Sequence, residues 1–114
     1  SKEINTDLLA ALANLPLSPS DLGKENARCS ITFLPAGFKI EADIPYLEKT
    51  SSSIFFSIMD YRSELSIEQP KLFNPGKTLY AIGEWRDKTN LKINGDLITI
   101  TQLDEGRVIE QTGC

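Results

Sequence analysis

Hydrophobic and polar residues alternate along most of the chain after residue 28, with the period of two that is typical of β-strands. The alternation is clearest in the segment FKIEADIPY. Four apolar side chains fall on one face of this segment: Phe38, Ile40, Ala42 and Ile44. Charged residues occupy the other face, so we predict a strand with one buried and one solvated face, as in antiparallel sheets.

The same period, interrupted by turn residues, predicts further strands at 29–34, 63–69, 78–85 and 107–112. Parallel strands need long crossover connections, usually helices, and the spacing after residue 29 leaves no room for them. We therefore predict a mainly β fold, either an antiparallel β-sandwich or a small barrel, of about seven or eight strands.

A segment near the middle of the chain, SSIFFSIMDY, is apolar on both faces. Ile54, Phe56 and Ile58 share one face, and Phe55 and Met59 share the other. We predict a central strand that is covered on both sides. Its second face needs a cover, either from the N-terminal part of the chain or from a second subunit.

Asn94-Gly95 lies between two short alternating runs in KTNLKINGDLITI. Asn-Gly is a preferred dipeptide of the two-residue type I′ hairpin turn, in which both central residues have positive φ. This turn predicts a hairpin in which Leu91 lies opposite Ile98, with one apolar face and one more polar face. Turn chemistry and a buried face account for the hairpin without a ligand.

The beginning of the chain has a helical period instead. Asn5 or Thr6 is a suitable N-cap, and Pro16 should end the helix. The apolar stripe of this predicted helix consists of Leu8, Leu9, Leu12 and Leu15. We therefore predict one short N-terminal α-helix, followed by a connector rich in proline and serine.

These elements fit a single domain over residues 1–114, a common domain size. Within it, residues 1–28 form the helix and connector, and residues 29–114 form the antiparallel β body. Hydrophobic residues make up 40% and charged residues 25% of the chain, which is the composition of a folded globular protein.

The net charge of −4 makes nucleic acid an improbable partner, because phosphate binding needs clustered Lys and Arg and here they are scattered among acids. No apolar run approaches the ~20 residues that span a bilayer, so no membrane partner is expected. No signal peptide precedes Ser1. We expect a cytoplasmic protein, while a mature secreted chain whose signal has been removed stays open.

The sequence has two cysteines, Cys29 and Cys114. We interpret Cys29 as a small apolar residue and Cys114 as a free thiol on a loose tail, because two distant cysteines do not make a disulfide framework. A single bridge between them is the alternative, and it would imply an oxidising compartment.

The sequence contains no histidine, which removes the commonest general base and metal ligand. Nucleophilic systems that pair Ser or Cys with His cannot be built, and no glycine-rich phosphate loop occurs. Neighbouring acids such as Glu84 and Asp87 are interpreted as solvated turn residues. We predict a protein that is not an enzyme, with no catalytic residues, no cofactor and no metal.

The function that remains is a non-catalytic interaction module, which associates with itself, as a homodimer, or joins a larger assembly. Its contact needs apolar side chains that the chain does not cover by itself. The residues predicted at this contact are Leu8, Leu9, Leu12, Phe55 and Met59.

The alternative is a small-ligand or carbohydrate-binding β-barrel or sandwich with a mostly apolar pocket. Its aromatic platforms would be Trp85, Tyr61 and Tyr80. Trp85 also has a structural interpretation, as a large apolar side chain that closes one end of the core.

Overall fold

A computed structural model of the chain describes residues 15–47, 53–58, 65–68, 70–72, 78–85, 93–104 and 106–114. The mainly β fold predicted from the sequence is confirmed, with eight strands in two antiparallel sheets. The strands are β1 Arg28–Leu34, β2 Gly37–Asp43, β3 Ser53–Ile58, β4 Leu65–Ile67, β5 Lys71–Leu72, β6 Thr78–Trp85, β7 Ile98–Asp104 and β8 Arg107–Thr112.

Helical structure in the described part of the chain is limited to two short 3₁₀ helices, Ser20–Leu22 and Gly95–Leu97. The predicted N-terminal α-helix, with Leu8, Leu9 and Leu12, lies outside the described residues. Leu15, predicted as the last leucine of that helix, is not helical, and residues 16–27, the predicted connector, lead from it to β1.

The first sheet has the strand order β1-β2-β6-β4, and β5 also pairs with β6. β4 and β5 lie along the same side of β6, so together they form one interrupted edge strand. Ile67 pairs with Gly83 and Lys71 pairs with Tyr80, so β4–β5 uses one residue more than β6 over this stretch. Pro70 lies within this interruption, and it has no N–H for a ladder.

The second sheet has the order β3-β7-β8, with β7 in the centre. Leu17 extends this sheet by a parallel bridge to β8. The Leu17 N–H donates to the Val108 carbonyl at 2.8 Å, and the Glu110 N–H donates to the Leu17 carbonyl at 2.8 Å. The connector therefore covers part of the β8 edge instead of running free.

The two sheets share one core, which makes the fold a sandwich. The predicted apolar face of β2 is fully buried, and Leu65 of β4 is buried as predicted. The largest fully buried side chains come from both sheets: Phe38, Ile40, Ile44, Ile58, Ile98, Ile100, Ile109 and Pro19. Burial of side chains of this size contributes about 1.5–3 kcal/mol each, so the alternating faces supply most of the driving force.

The prediction of a type I′ turn at Asn94-Gly95 is wrong. Asn94 has φ −116° and ψ 170°, and its side chain accepts a hydrogen bond from the Asp96 N–H at 3.0 Å. Asn94 is thus the N-cap of the 3₁₀ helix Gly95–Leu97. Asparagine is a preferred residue at N-caps as well as in turns. β7 begins only at Ile98, and its two sides are occupied by β3 and β8.

Gly95 is needed for a close approach and not for a positive φ. A Cβ at this position would lie 2.8 Å from the carbonyl carbon of Cys114. The Cys114 N–H in turn donates to the Gly95 carbonyl at 2.9 Å. The residues that follow β8 therefore fold back against the 3₁₀ helix, which leaves no room for a side chain there.

A buried glutamine joins the connector to β8. Gln111 is 6% exposed, and its Oε1 accepts hydrogen bonds from the Ala27 N–H at 2.8 Å and the Tyr46 hydroxyl at 3.2 Å. Its Nε2 donates to the carbonyls of Ala27 at 2.9 Å and Gly113 at 2.8 Å. Every donor and acceptor position of the amide is used, so its burial carries no unsatisfied polar group.

A second buried glutamine in the same sheet is not satisfied in this way. Gln102 of β7 is 2% exposed and lies opposite Ile54 of β3 and Ile109 of β8. Its Oε1 is buried and has no hydrogen-bond partner in the described part of the chain. An unsatisfied buried amide oxygen costs about 1–3 kcal/mol, so Gln102 weakens the core where Gln111 strengthens it.

The two glutamines give a matched pair of substitutions. Gln111→Leu should lower the free energy of unfolding by about 3 kcal/mol or more, because it leaves several buried polar groups of Ala27, Tyr46 and Gly113 without partners. Gln102→Leu should leave that free energy unchanged or raise it. Urea unfolding followed by circular dichroism measures both, and an equal loss in the two variants would contradict this assignment.

Candidate interaction surface

The outer face of the second sheet carries apolar side chains next to one another. Alternation along β3 directs Phe55 away from the core, and alternation along β7 and β8 does the same for Leu103 and Val108. Leu103 pairs directly with Val108, and Phe55 pairs with Thr101, which places it diagonally to Leu103. We call these three side chains, Phe55, Leu103 and Val108, the Phe55 surface.

The Phe55 surface is open to solvent in the single chain. Phe55 is 43% exposed and Leu103 is 44% exposed, and Val108 is half-buried. Diagonal neighbours in an antiparallel sheet are about 7–8 Å apart, within reach of an aromatic side chain, so the three form one patch. An apolar patch of this kind marks a contact with another molecule more often than an isolated exposed residue does.

The rest of this outer face is almost without charge. Ser53 and Ser57 flank Phe55 on β3, and the hydroxyls of Thr99 and Thr112 lie 3.3 Å apart across β7 and β8. In the described parts of β3, β7 and β8, Glu110 is the one charged side chain on this outer face. Ser53, Ser57 and Thr112 therefore place hydroxyl groups around an apolar centre, while Thr99 is buried.

Of the residues predicted at a self-association contact, the structure describes only Phe55. Leu8, Leu9, Leu12 and Met59 lie outside the described residues. β3 was predicted to be central, whereas it lies at an edge of the second sheet as described. The prediction that the Phe55 face needs a cover is untested, and no described residue buries it.

The aromatic residues of the alternative function are not brought together. Trp85 lies on the core face of β6, where its ring packs on Phe38 with centroids 5.2 Å apart and planes at 51°. Tyr80 lies on the opposite face of β6, opposite Glu41 and Lys71 in the register. Tyr61 is outside the described residues. The contact of Trp85 with Phe38 agrees with the structural interpretation of this tryptophan, as a large apolar side chain packed against the core.

Cys29 and Cys114 form a disulfide, so the interpretation of Cys29 as a small apolar residue and Cys114 as a free thiol is wrong, and the alternative of a single bridge is confirmed. Their Cα atoms are 5.0 Å apart, and the Cys29 N–H donates to the Cys114 carbonyl at 3.0 Å. The bond joins the first sheet to the residues that follow β8, beside the amide of Gln111. In the sequence, the only sign of it is that two cysteines allow one pairing.

Tyr46 is the buried titratable group at the same junction. Its side chain is buried, and this burial raises the pKa of Tyr46 to about 12 from its ordinary value near 10. The phenol is therefore neutral near pH 7 and serves as a hydrogen-bond donor to Gln111. It has a structural role and does not supply a base.

The described residues contain no group of three Cys, Asp or Glu side chains that could hold a metal ion. They also contain no helix that is long and apolar enough to cross a membrane. Comparison of the chain with protein-family models, curated proteins and solved structures finds no match. The function must therefore be argued from the chemistry of the surfaces themselves.

Opening the Cys29–Cys114 bond should lower the free energy of unfolding by about 4 kcal/mol, the value that the chain-entropy model gives for a closed loop of this length. Urea unfolding with and without dithiothreitol measures the loss. The double variant Cys29→Ser/Cys114→Ser is the control. Its free energy of unfolding should equal that of the reduced protein and should not change when dithiothreitol is added. Unchanged stability of a protein shown by mass spectrometry to be reduced would contradict this expectation.

The pKa of Tyr46 predicts a loss of stability at high pH. A folded-state pKa of about 12, above an unfolded value of about 10, contributes stability that is present below pH 10 and lost as the pH rises through 12. Tyr46→Phe should remove this contribution and flatten the dependence above about pH 10. Urea unfolding at pH values on both sides of 10 compares the two proteins, and parallel curves would show that Tyr46 is accessible.

Proposed function

We propose that the chain is a non-catalytic interaction module that associates with a second copy of itself through the Phe55 surface. The observation that carries this proposal is the adjacency of Phe55 and Leu103, both more than two-fifths exposed on one flat sheet face. Burying such side chains in a contact contributes about 1.5–3 kcal/mol each.

A second copy fits this surface because of charge. The chain carries a net charge of −4, so two copies repel one another unless the contact itself is nearly uncharged. The face around Phe55 comes near this requirement, since it carries one charged side chain, Glu110, in the described strands. A patch that binds its own copy forms a closed two-fold dimer, the commonest symmetry of such contacts.

The absence of histidine supports a binding role instead of a catalytic one, because neither a nucleophile paired with histidine nor a histidine-ligated metal centre can be assembled. Tyr46, the buried titratable group whose pKa is raised to about 12, stays neutral near pH 7. Recognition by apolar contact needs neither of these chemistries.

The disulfide supports an oxidising compartment as the place of this function. Structural disulfides are rare in the cytosol, where thiols are kept reduced. The Cys29–Cys114 bond therefore favours a mature secreted chain over a cytoplasmic one. Expression in a reducing and in an oxidising compartment, followed by thiol labelling, compares the two settings.

Phe55→Ser should weaken self-association by about tenfold or more, because one apolar side chain per subunit is lost from the contact. Sedimentation velocity over a range of protein concentrations measures the change, and circular dichroism checks the fold. Leu15→Ser is the comparison variant, since Leu15 is similarly exposed but belongs to no strand of the second sheet.

The two variants also separate the alternatives left open by the sequence. If Leu15→Ser weakens association and Phe55→Ser does not, the contact lies at the predicted N-terminal stripe that includes Leu8, Leu9 and Leu12. If the unchanged chain is monomeric at high micromolar concentration, the proposed function is wrong.

A further inference from the structure

The edge of β1 that has no strand partner among the described residues lacks the devices by which β-sheet proteins usually prevent strand pairing. From Cys29 to Gly37 the sequence CSITFLPAG contains no charged residue. β1 pairs with β2 without a bulge, and Pro35 lies beyond its last residue. Phe33 is 52% exposed, and Leu34 beside it is also exposed. This end of β1 is therefore a regular, uncharged strand with apolar side chains in solvent.

Two other edges of the described sheets are protected. The edge formed by β4 and β5 is interrupted between Ile67 and Lys71, where Pro70 has no N–H to pair. The edge of β8 is covered at Leu17, whose backbone bonds to Val108 and Glu110. The edge of β3 has no partner in the described part of the chain either, and the edge of β1 differs from it in ending at the exposed Phe33 and Leu34.

The hydrogen bonds of β1 show which of its backbone groups face outward. The Cys29 N–H donates to the Cys114 carbonyl, on the side away from β2. In an antiparallel ladder, every second residue directs both its N–H and its C=O to the same side. Ile31 and Phe33 therefore also direct their backbone groups away from β2, and they have no backbone partner in the described part of the chain.

We propose that β1 pairs antiparallel with β1 of a second copy, about a two-fold axis at Thr32. In this register, Ile31 of each chain lies opposite Phe33 of the other. The N–H and C=O groups of both residues then all bond across the axis, which joins the two first sheets into one continuous sheet.

This register is fixed by the backbone groups of Cys29 and Pro35 that cannot donate a hydrogen bond to a second copy. With the axis at Thr32, Cys29 faces Pro35 of the second copy. Cys114 already lies beside Cys29 and accepts its N–H, and Pro35 has no N–H, so the pairing between the two copies ends at Ile31 and Phe33 of each chain. A shift by two residues in one direction places the occupied Cys29 opposite Phe33, and a shift in the other direction places Ile31 opposite Pro35. Each shift leaves open groups unpaired.

The side chains agree with the same register. Thr32 meets Thr32 of the second copy on the outer face, a favourable cross-strand pair. Phe33 and Ile31 meet on the core face, where Phe33 gains the cover that it lacks in the single chain. No charged side chain of β1 lies between Cys29 and Leu34, so the pairing brings no like charges together.

This contact goes beyond the proposed function, because it lies on the first sheet and does not use the Phe55 surface. Both contacts bind a second copy, and the test must therefore separate them. Cross-linking at a defined register does so, since it reports which residues meet and not only whether the chain associates.

The test is the single substitution Thr32→Cys in the full chain, held in a glutathione redox buffer. Directly opposite residues that do not share hydrogen bonds have Cα atoms about 4.5 Å apart, within the range that a disulfide spans. We expect a disulfide-linked dimer on non-reducing gels. Ser30→Cys is the control, because Ser30 faces Leu34 of the second copy and not another Ser30, and it should stay monomeric.

Two further variants complete the design. The double variant Ser30→Cys/Leu34→Cys should cross-link, since these positions face one another across the axis. Phe33→Lys, added to Thr32→Cys, should slow cross-linking by about tenfold or more, because a charged residue replaces the apolar contact at the edge. The native Cys29–Cys114 bond is checked by peptide mapping in each variant.

The same cross-linking in a Phe55→Ser background separates this inference from the proposed function. Dimers of Thr32→Cys that persist there support the β1 contact even if the Phe55 surface is not used. No dimer in either background, or equal dimer from Thr32→Cys and Ser30→Cys, would overturn the β1 contact, whatever the sedimentation of Phe55→Ser shows.

Discussion

The fold depends on the pairing of the Gln111 amide with the backbone of Ala27. The amide accepts from the N–H of Ala27 and donates to its carbonyl, so it takes the place of a strand residue beside the chain that leads into β1. Through Tyr46 and Gly113, the same amide fixes the residues after β2 and after β8. Because the amide is buried, losing any one partner would leave a polar group without water, and this is why the junction is specific.

The surfaces of the sandwich follow from how each sheet ends. The second sheet has three described strands, and one of its faces packs on the core. Phe55 lies on its other face and is exposed to solvent. Phe33 is 52% exposed near the β1–β2 turn, although it pairs with the buried Phe38 on the core side of β1. Both places combine apolar side chains with little charge in a chain whose net charge is −4. These are the properties of contacts that self-repulsion does not prevent.

The strands could be predicted from the sequence because alternation is a local signal. Phe38, Ile40, Ala42 and Ile44 repeat every two residues, and that repeat alone fixes the buried face of β2. Asn94-Gly95 misled the prediction because the same dipeptide suits a turn and an N-cap, and only the neighbours of β7 decide between them. The disulfide and the Gln111 pairing could not be predicted, since they join residues 85 and 84 positions apart. Phe55 was found by its pattern, and the Leu103 beside it depends on a strand register that the sequence does not state.

The disulfide also sets the path of a mechanical load. Tension that enters the chain just before Cys29 and leaves at Cys114 passes through the sulfur–sulfur bond, and the 84 residues between them carry none of it. Both sheets lie inside that covalent ring, so such a pull can extend only the connector and whatever precedes it. Reduction would place the whole sandwich in series with the load, with β1 and the residues after β8 the first to separate. In the oxidised chain, the β-fold therefore bears no tension when the chain is pulled from these two points.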